Sequence, residues 1–230
     1  MADPASTLIH TFGRRRGRRL RPSQQALLTD LLPRVALTPA AGAALGAEVL
    51  AGTGARDLWL EVGFGGGEHL AAQAAAYPEI AFAGCEPYVN GVVSLLGQIR
   101  DRGLQNVRVW HGDARALLPH LPDGSVGRAF VLFPDPWPKA RHQKRRLVAA
   151  PFLDTLARVL RPGAELRLAT DDPDYLVWML ERLTSHPAFV WLARRPEDWR
   201  TRPADWPQTR YERKALAAGR RPVYLRFRRV

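Results

Sequence analysis

The chain has 230 residues, 46% hydrophobic and 24% charged, which fits one globular domain with a full core and leaves room for no more than a small appendage. Its net charge of +12 calls for an acidic partner, most simply nucleic acid, with an anionic membrane surface as the alternative. The single cysteine, Cys85, excludes an internal disulfide and a cysteine-based zinc cage, and it fits a cytoplasmic protein. No apolar run reaches the roughly 18 residues of a membrane span, and no apolar segment follows the basic N-terminus as in a secretory leader.

Residues 1–22 read as a flexible basic arm, with Arg14, Arg15, Arg16, Arg18, Arg19 and Arg21 in a run that has no core-forming pattern. Residues 23–230 read as a single domain. Ser23 is a fair N-cap for a short helix from Gln24 to Leu32, closed by Pro33. Pro39 to Gly54 is rich in Ala and Gly and reads as a loop or weak helix. Leu58 to Val62 is an apolar strand, and glycines 63, 65, 66 and 67 follow it. The Ala-rich stretch from Glu68 to Tyr77 is helical and stops at Pro78. Ile80 to Cys85 is a second strand, Val89 to Arg102 a helix closed by Gly103, and Val107 to Trp110 a third strand. Gly127 to Phe133 is the fourth. Pro151 to Leu160 is an amphipathic helix, Ala164 to Thr170 a fifth strand and Pro173 to Thr184 another helix. Phe189 to Leu192 and Val223 to Phe227 are the closing strands. Strand and helix alternate throughout, which predicts a mainly parallel sheet covered on both faces.

Chemistry concentrates where strands end. In open α/β sheets ligands bind at the carboxyl ends of the strands. After the fourth strand, prolines 134, 136 and 138 forbid both helix and ladder pairing, so the backbone must leave the sheet in a stiff loop carrying Asp135 and Trp137. Lys139, Arg141, Lys144, Arg145 and Arg146 follow, five cations in eight residues. A held carboxylate, a flat ring and a cationic run together suit a polyanion with a nucleobase to position, against the plainer possibility of a turn leading into a solvated basic helix. The first glycine loop is not the dinucleotide fingerprint, because position 68 is Glu68 where a third glycine is needed. It is an acid followed by alternating glycines, Glu61, Gly63, Gly65 and Gly67. Such a loop lets a small ligand lie against the backbone, beside a carboxylate for a cationic group. His69, His111 and His142 lack metal-ligand spacing, so no metal is expected and these rings are taken as structural or phosphate-facing.

The Glu61–Gly67 stretch resembles the first motif of the S-adenosylmethionine-dependent methyltransferases. Glu86 ends the second strand, 23 residues after Gly63, where a carboxylate can take both ribose hydroxyls, and Asp113 follows the third, where an adenine amino group falls. With the Phe133–Arg146 loop added, the chain resembles the tRNA (guanine-N7-)-methyltransferases from about residue 9 to its end. Leu60–His69, Ala169–Asp171 and Thr209–Glu212 carry the likeness as well. The resemblance implies a Rossmann-like class I methyltransferase with a seven-stranded sheet flanked by helices, S-adenosyl-L-methionine as cofactor and tRNA as partner. The implied product is 7-methylguanosine in the variable loop, at guanosine 46. Glu61, Gly63, Gly65, Gly67, Glu86, Asp113 and Asp135 are then implied to hold the cofactor, with Asp135 also catalytic. Lys139, Asp171, Thr209, Arg210, Tyr211 and Glu212 would contact the guanine nucleotide. Arg14, Arg15, Arg16, Arg18, Arg19, Arg141, Lys144, Arg145 and Arg146 would meet the tRNA backbone. An acid doublet, Asp171–Asp172, stands where the family has one acid. Two alternatives remain open: an amino-group (N6-adenine type) nucleic-acid methyltransferase, whose Asp/Asn-Pro-Pro-aromatic loop is similar to Asp135–Trp137, and a non-catalytic RNA-binding protein on the same fold.

Overall fold

The computed structural model describes residues 12–13, 15–39, 45 and 54–230. Arg14 and most of the Pro39–Gly54 stretch lie outside the described residues.

Among the described residues seven strands form one sheet: β1 (Asp57–Val62), β2 (Ile80–Cys85), β3 (Val107–Trp110), β4 (Val126–Leu132), β5 (Leu160–Thr170), β6 (Phe189–Trp191) and β7 (Val223–Arg229). Their order is β3-β2-β1-β4-β5-β7-β6. The pairings from β3 across to β5 are parallel, and β7 runs antiparallel to β5 and β6. This is the mainly parallel sheet that the alternation of elements predicts. All six residues of β2 are buried, as expected of a strand covered on both faces.

The period-two geometry of β1 sorts its side chains between two cores. Leu58, Leu60 and Val62 join a cluster with α6 (Ala150–Val159) and α7 (Pro173–Thr184). Trp59 points to the other face, into a cluster with α3 (Glu68–Ala76) and α4 (Val89–Arg102). Glu61 shares the parity of Trp59 and therefore faces α3.

The N-terminal helix departs from its sequence reading. It runs as α1 (Pro22–Ala26), a π-helical turn (Leu27–Leu31) and α2 (Leu32–Val35). Arg21, not Ser23, is the N-cap, and Pro22 takes the first turn, where its missing N–H is not needed. Pro33 does not close the helix. The π turn, with the Leu32 N–H bonded to the Leu27 carbonyl, resets the ladder so that Pro33 falls in the first turn of α2. Beyond it, Ala36 bridges to Val109 of β3.

β5 begins at Leu160, four residues before the predicted Ala164. A bulge between the Val126–Leu160 and Arg128–Glu165 pairs absorbs the extra residues, with Gly163 at φ +83°. Five short helices carry too little periodicity to be read from sequence: α5 (Ala114–Leu117), α8 (Glu197–Arg200), α9 (Arg210–Ala217) and the 3-10 turns Leu118–His120 and Ala140–Arg145. Among the described residues no helix is long and apolar enough to cross a membrane, and no group of three His, Cys, Asp or Glu could hold a metal.

Candidate active site

The strands around β1 end level with one another. Val62 lies opposite Cys85 and Val131, and Cys85 lies opposite Trp110. The residues that follow them therefore emerge along one edge, where the strand order reverses between β1 and β4. A cavity of about 590 Å³ opens there, a size suited to a small molecule. Gly63, Gly65, Glu86, Asp113 and Asp135 all line it, together with Trp137, Arg145, Arg210 and Tyr211.

Glu86 is 7% exposed and organises the glycine loop. Its Oε2 accepts from the Gly65 N–H at 2.8 Å and its Oε1 from the Tyr88 N–H at 2.9 Å. Each oxygen keeps a further lone pair for a ligand hydroxyl. Burial raises its pKa, opposed by the two backbone N–H groups and reinforced by the negative charges of Asp135 and Glu61. Gly65 holds φ +56°, with the Tyr211 ring 3.0 Å from where a Cβ would stand, so a side chain there is barred twice. Asp113 caps α5 through the Arg115 N–H at 3.0 Å and pairs with the Arg115 guanidinium at 2.7 Å. Asp135 presents open surface to the cavity, but the surrounding walls strip water from it and raise its pKa.

The loop around Asp135 is strained on both sides. Phe133 (φ +51°) and Trp137 (φ +46°) are the non-glycine residues with positive φ among the described residues. Phe133 thus leaves the sheet instead of ending β4, although its N–H still bonds the Ala169 carbonyl at 2.8 Å. Arg145 lies 5.0 Å from the Trp137 ring and 5.0 Å from that of Phe12, and all three line the cavity. Arg141 and Lys144 are exposed. Arg146 corrects its sequence assignment to the tRNA-facing set. It is 3% exposed, bonds the Pro136 carbonyl at 2.7 Å, pairs with Asp174 and packs on Tyr175 and Trp178.

Other sequence-nominated residues fall elsewhere. Glu61 lines a side chamber of about 10 Å³ with His69 and Thr209, behind a wall of Gly63, Leu132, Phe133 and Tyr211 shared with the main cavity. Gly67 lines neither space. It caps α3 at φ +78°, and a Cβ there would stand 2.7 Å from Leu95, so it serves packing. Lys139 is exposed and Asp171 pairs with Arg220 at 3.0 Å, both off the cavity wall, while Asp172 caps α7 through the Tyr175 N–H at 2.8 Å. Thr209 caps α9. Glu212 turns inward, 2% exposed, accepting from Tyr224 Oη at 2.7 Å and pairing with Arg202 at 3.1 Å.

Part of the arm is docked. The Val89 N–H bonds the Arg15 carbonyl at 3.1 Å, and Asn90 takes the Gly17 N–H and gives to the Arg18 carbonyl, both at 2.9 Å. This brings Phe12 and Gly13 onto the cavity wall beside Asp135, while the side chains of Arg15, Arg16, Arg18 and Arg19 stay exposed.

Residues 55–225 match a family described as "Putative methyltransferase". A tRNA (guanine-N(7)-)-methyltransferase of Rhodospirillum rubrum is 53% identical over 222 residues, covering 95% of this chain and 87% of the relative. Another, from Jannaschia sp., is 48% identical over 100% of this chain and 99% of its own. The chain belongs to the tRNA (guanine-N(7)-)-methyltransferase family. Solved structures share its class I methyltransferase fold. The 16S rRNA (adenine(1408)-N(1))-methyltransferase from Catenulisporales acidiphilia superposes with a TM-score of 0.53 at 20% identity, over 80% of this chain and 91% of that one. A second, described as an antibiotic related methyltransferase, gives 0.54 at 18% identity, over 80% and 92%.

In this tRNA (guanine-N(7)-)-methyltransferase family member the cavity wall also holds residues that sequence reasoning missed: Phe12, Tyr88, Arg115 and Lys214. Lys214 was within reach, since it stands four residues after Arg210 on one helical face. Phe12 left no such signal, because only the docking of the arm brings it in.

Proposed function

We propose that the protein transfers a methyl group from S-adenosyl-L-methionine to N7 of a guanosine in tRNA, in the variable loop at guanosine 46. The observation that carries this is the convergence of Glu86, Asp113 and Asp135 on one cavity, in a chain that shares about half its residues with tRNA (guanine-N(7)-)-methyltransferases. The donor set suits the cofactor. Glu86, with lone pairs to spare, is matched to the ribose hydroxyls, Asp113 to the adenine amino group, and Glu61 and Asp135 to the cationic end, over an apolar floor of Val62, Cys85 and Leu132.

When bound, S-adenosylmethionine supplies an electrophilic methyl group on a sulfonium. Guanine N7 has a lone pair and no proton, so the chain need not provide a general base. The ring gains positive charge as the bond forms, and a carboxylate at Asp135, in a site partly stripped of water, stabilises it. Asp135 can also accept from the guanine N1–H and amino group, fixing the ring for attack. Trp137 offers a stacking face. The exposed Arg141 and Lys144, with the arm arginines, take the phosphates.

Mass spectrometry of nucleosides from bulk tRNA incubated with the protein and labelled cofactor tests this. Labelled 7-methylguanosine is expected. Labelled N6-methyladenosine would move the protein to the amino-group methyltransferases, and intact tRNA binding with no labelled nucleoside would make it an RNA-binding protein.

A further inference from the structure

Glu61 does not open directly onto the main cavity. It is 3% exposed, and its Oε2 stands 2.7 Å from Nδ1 of His69 on α3. His69 is itself 2% exposed, set edge-on to Phe130 at 4.7 Å and tilted against Trp206 at 6.2 Å, so the ring is packed between two aromatic neighbours. A carboxylate oxygen accepts and a ring N–H donates, so this contact is assigned as Nδ1–H donating to Oε2. Nε2 is buried with no hydrogen-bond partner among the described residues, so Nδ1 is the ring nitrogen that is engaged. The imidazole is therefore a fixed, single-direction donor to one oxygen of Glu61. The side chamber that both residues line shares Gly63, Leu132, Phe133 and Tyr211 with the main cavity.

We propose that His69 is a positioning residue for the amino-acid end of the cofactor: it holds Glu61 by Oε2 and so leaves Oε1 for the methionine ammonium at the boundary that the side chamber shares with the main cavity. This rests on the reading that Glu61 meets the cofactor's cationic end. It gives the ring a task that neither metal binding nor phosphate contact supplies. A charged hydrogen bond aimed by a second residue loses much of its worth when the aiming residue is lost.

Two ligands separate positioning from packing. S-adenosylhomocysteine carries the ammonium, and 5′-methylthioadenosine shares the adenosine and the thioether but lacks the amino acid. Calorimetric affinities for both are measured on the full-length chain, in wild type, His69→Leu, His69→Asn and Glu61→Gln. His69→Leu should weaken S-adenosylhomocysteine by about tenfold or more and leave 5′-methylthioadenosine unchanged. His69→Asn, whose amide nitrogen stands near the Nδ1 position, should recover most of the loss, and it carries the test alone if the leucine variant does not fold. Glu61→Gln should show the same ligand selectivity, and adding His69→Leu to it should cost nothing further. Equal weakening of both ligands in the His69 variants would overturn the proposal and leave the ring as core. Selectivity in Glu61→Gln but not in the His69 variants would overturn the positioning role while the cofactor reading stood. Unchanged affinity for both ligands in Glu61→Gln would remove the role of Glu61 and, with it, the inference.

Discussion

Arg146 Nε donates a 2.7 Å hydrogen bond to the carbonyl of Pro136, the residue that follows Asp135. Its guanidinium also pairs with Asp174 and lies 4.8 Å from the Trp178 ring, so α7 anchors the strained loop from beneath. Arg146→Ala should lower stability by about 2 kcal/mol, because a buried charged hydrogen bond and its packing go together. Activity should fall with it. The dependence of tRNA binding on salt should keep its slope, since a buried guanidinium releases no counterion. Lys144→Ala is the contrast: it should flatten the slope by about 0.9 with no change in melting temperature. A flattened slope in Arg146→Ala would return that residue to the phosphate-binding set.

Glu86 links cavity chemistry to stability. Its folded pKa is raised, by burial first, so below its unfolded value of about 4.3 the carboxyl is protonated in both states and folding gains most. As pH climbs from there through the raised value, the folded state must ionise a buried group and stability is lost. The ligand-free protein should lose melting temperature across that acid-side window, and Glu86→Gln should flatten the loss. S-adenosylhomocysteine should raise the melting temperature more as the carboxylate forms, while nicotinamide dinucleotides should raise it at no pH. A stabilising dinucleotide would contradict the cofactor assignment.

The Asn90 side chain holds the arm by two hydrogen bonds, accepting from the Gly17 N–H and donating to the Arg18 carbonyl, and the arm carries Phe12 to the cavity wall. Deleting residues 1–18 should weaken tRNA binding and flatten its salt slope, because exposed arginines are lost. It should also speed cofactor entry, because Phe12 and Gly13 no longer wall part of the cavity. Asn90→Ala should speed cofactor entry while keeping the slope. Stopped-flow tryptophan fluorescence reads the first effect and binding at several salt concentrations the second. An unaltered slope after truncation would show that the arm does not touch phosphate.

Asp135 has a pKa raised by loss of solvation, so its charged form is lost as pH falls through that value. Nothing on the nucleophile has to lose a proton above it. Single-turnover methyl transfer with both substrates saturating should therefore fall on the acid side and stay level between about pH 6.5 and 8.5. Asp135→Ala should slow the step severely in a folded protein, with Asp135→Asn in between. A tenfold rise per pH unit across that window, abolished in Asp135→Asn, would make Asp135 a general base and favour an amino-group target.

The sequence by itself determined the sheet, because each strand run is apolar, short and ended by a turn signal, and those signals are local. It also determined which acids stand at strand ends, since parallel strands in register leave their next residues along one edge. Glu86, Asp113 and Asp135 were legible for that reason. Side-chain direction was not. The parity of β1 turns Glu61 toward His69, helical phase turns Glu212 toward Tyr224 while its neighbour Tyr211 faces the cavity, and α7 draws Arg146 out of a cationic run that reads as uniformly exposed. A motif gives residue types in order; which face each one presents depends on partners 8, 12 and 28 residues away in the chain, and only the packed structure supplies them.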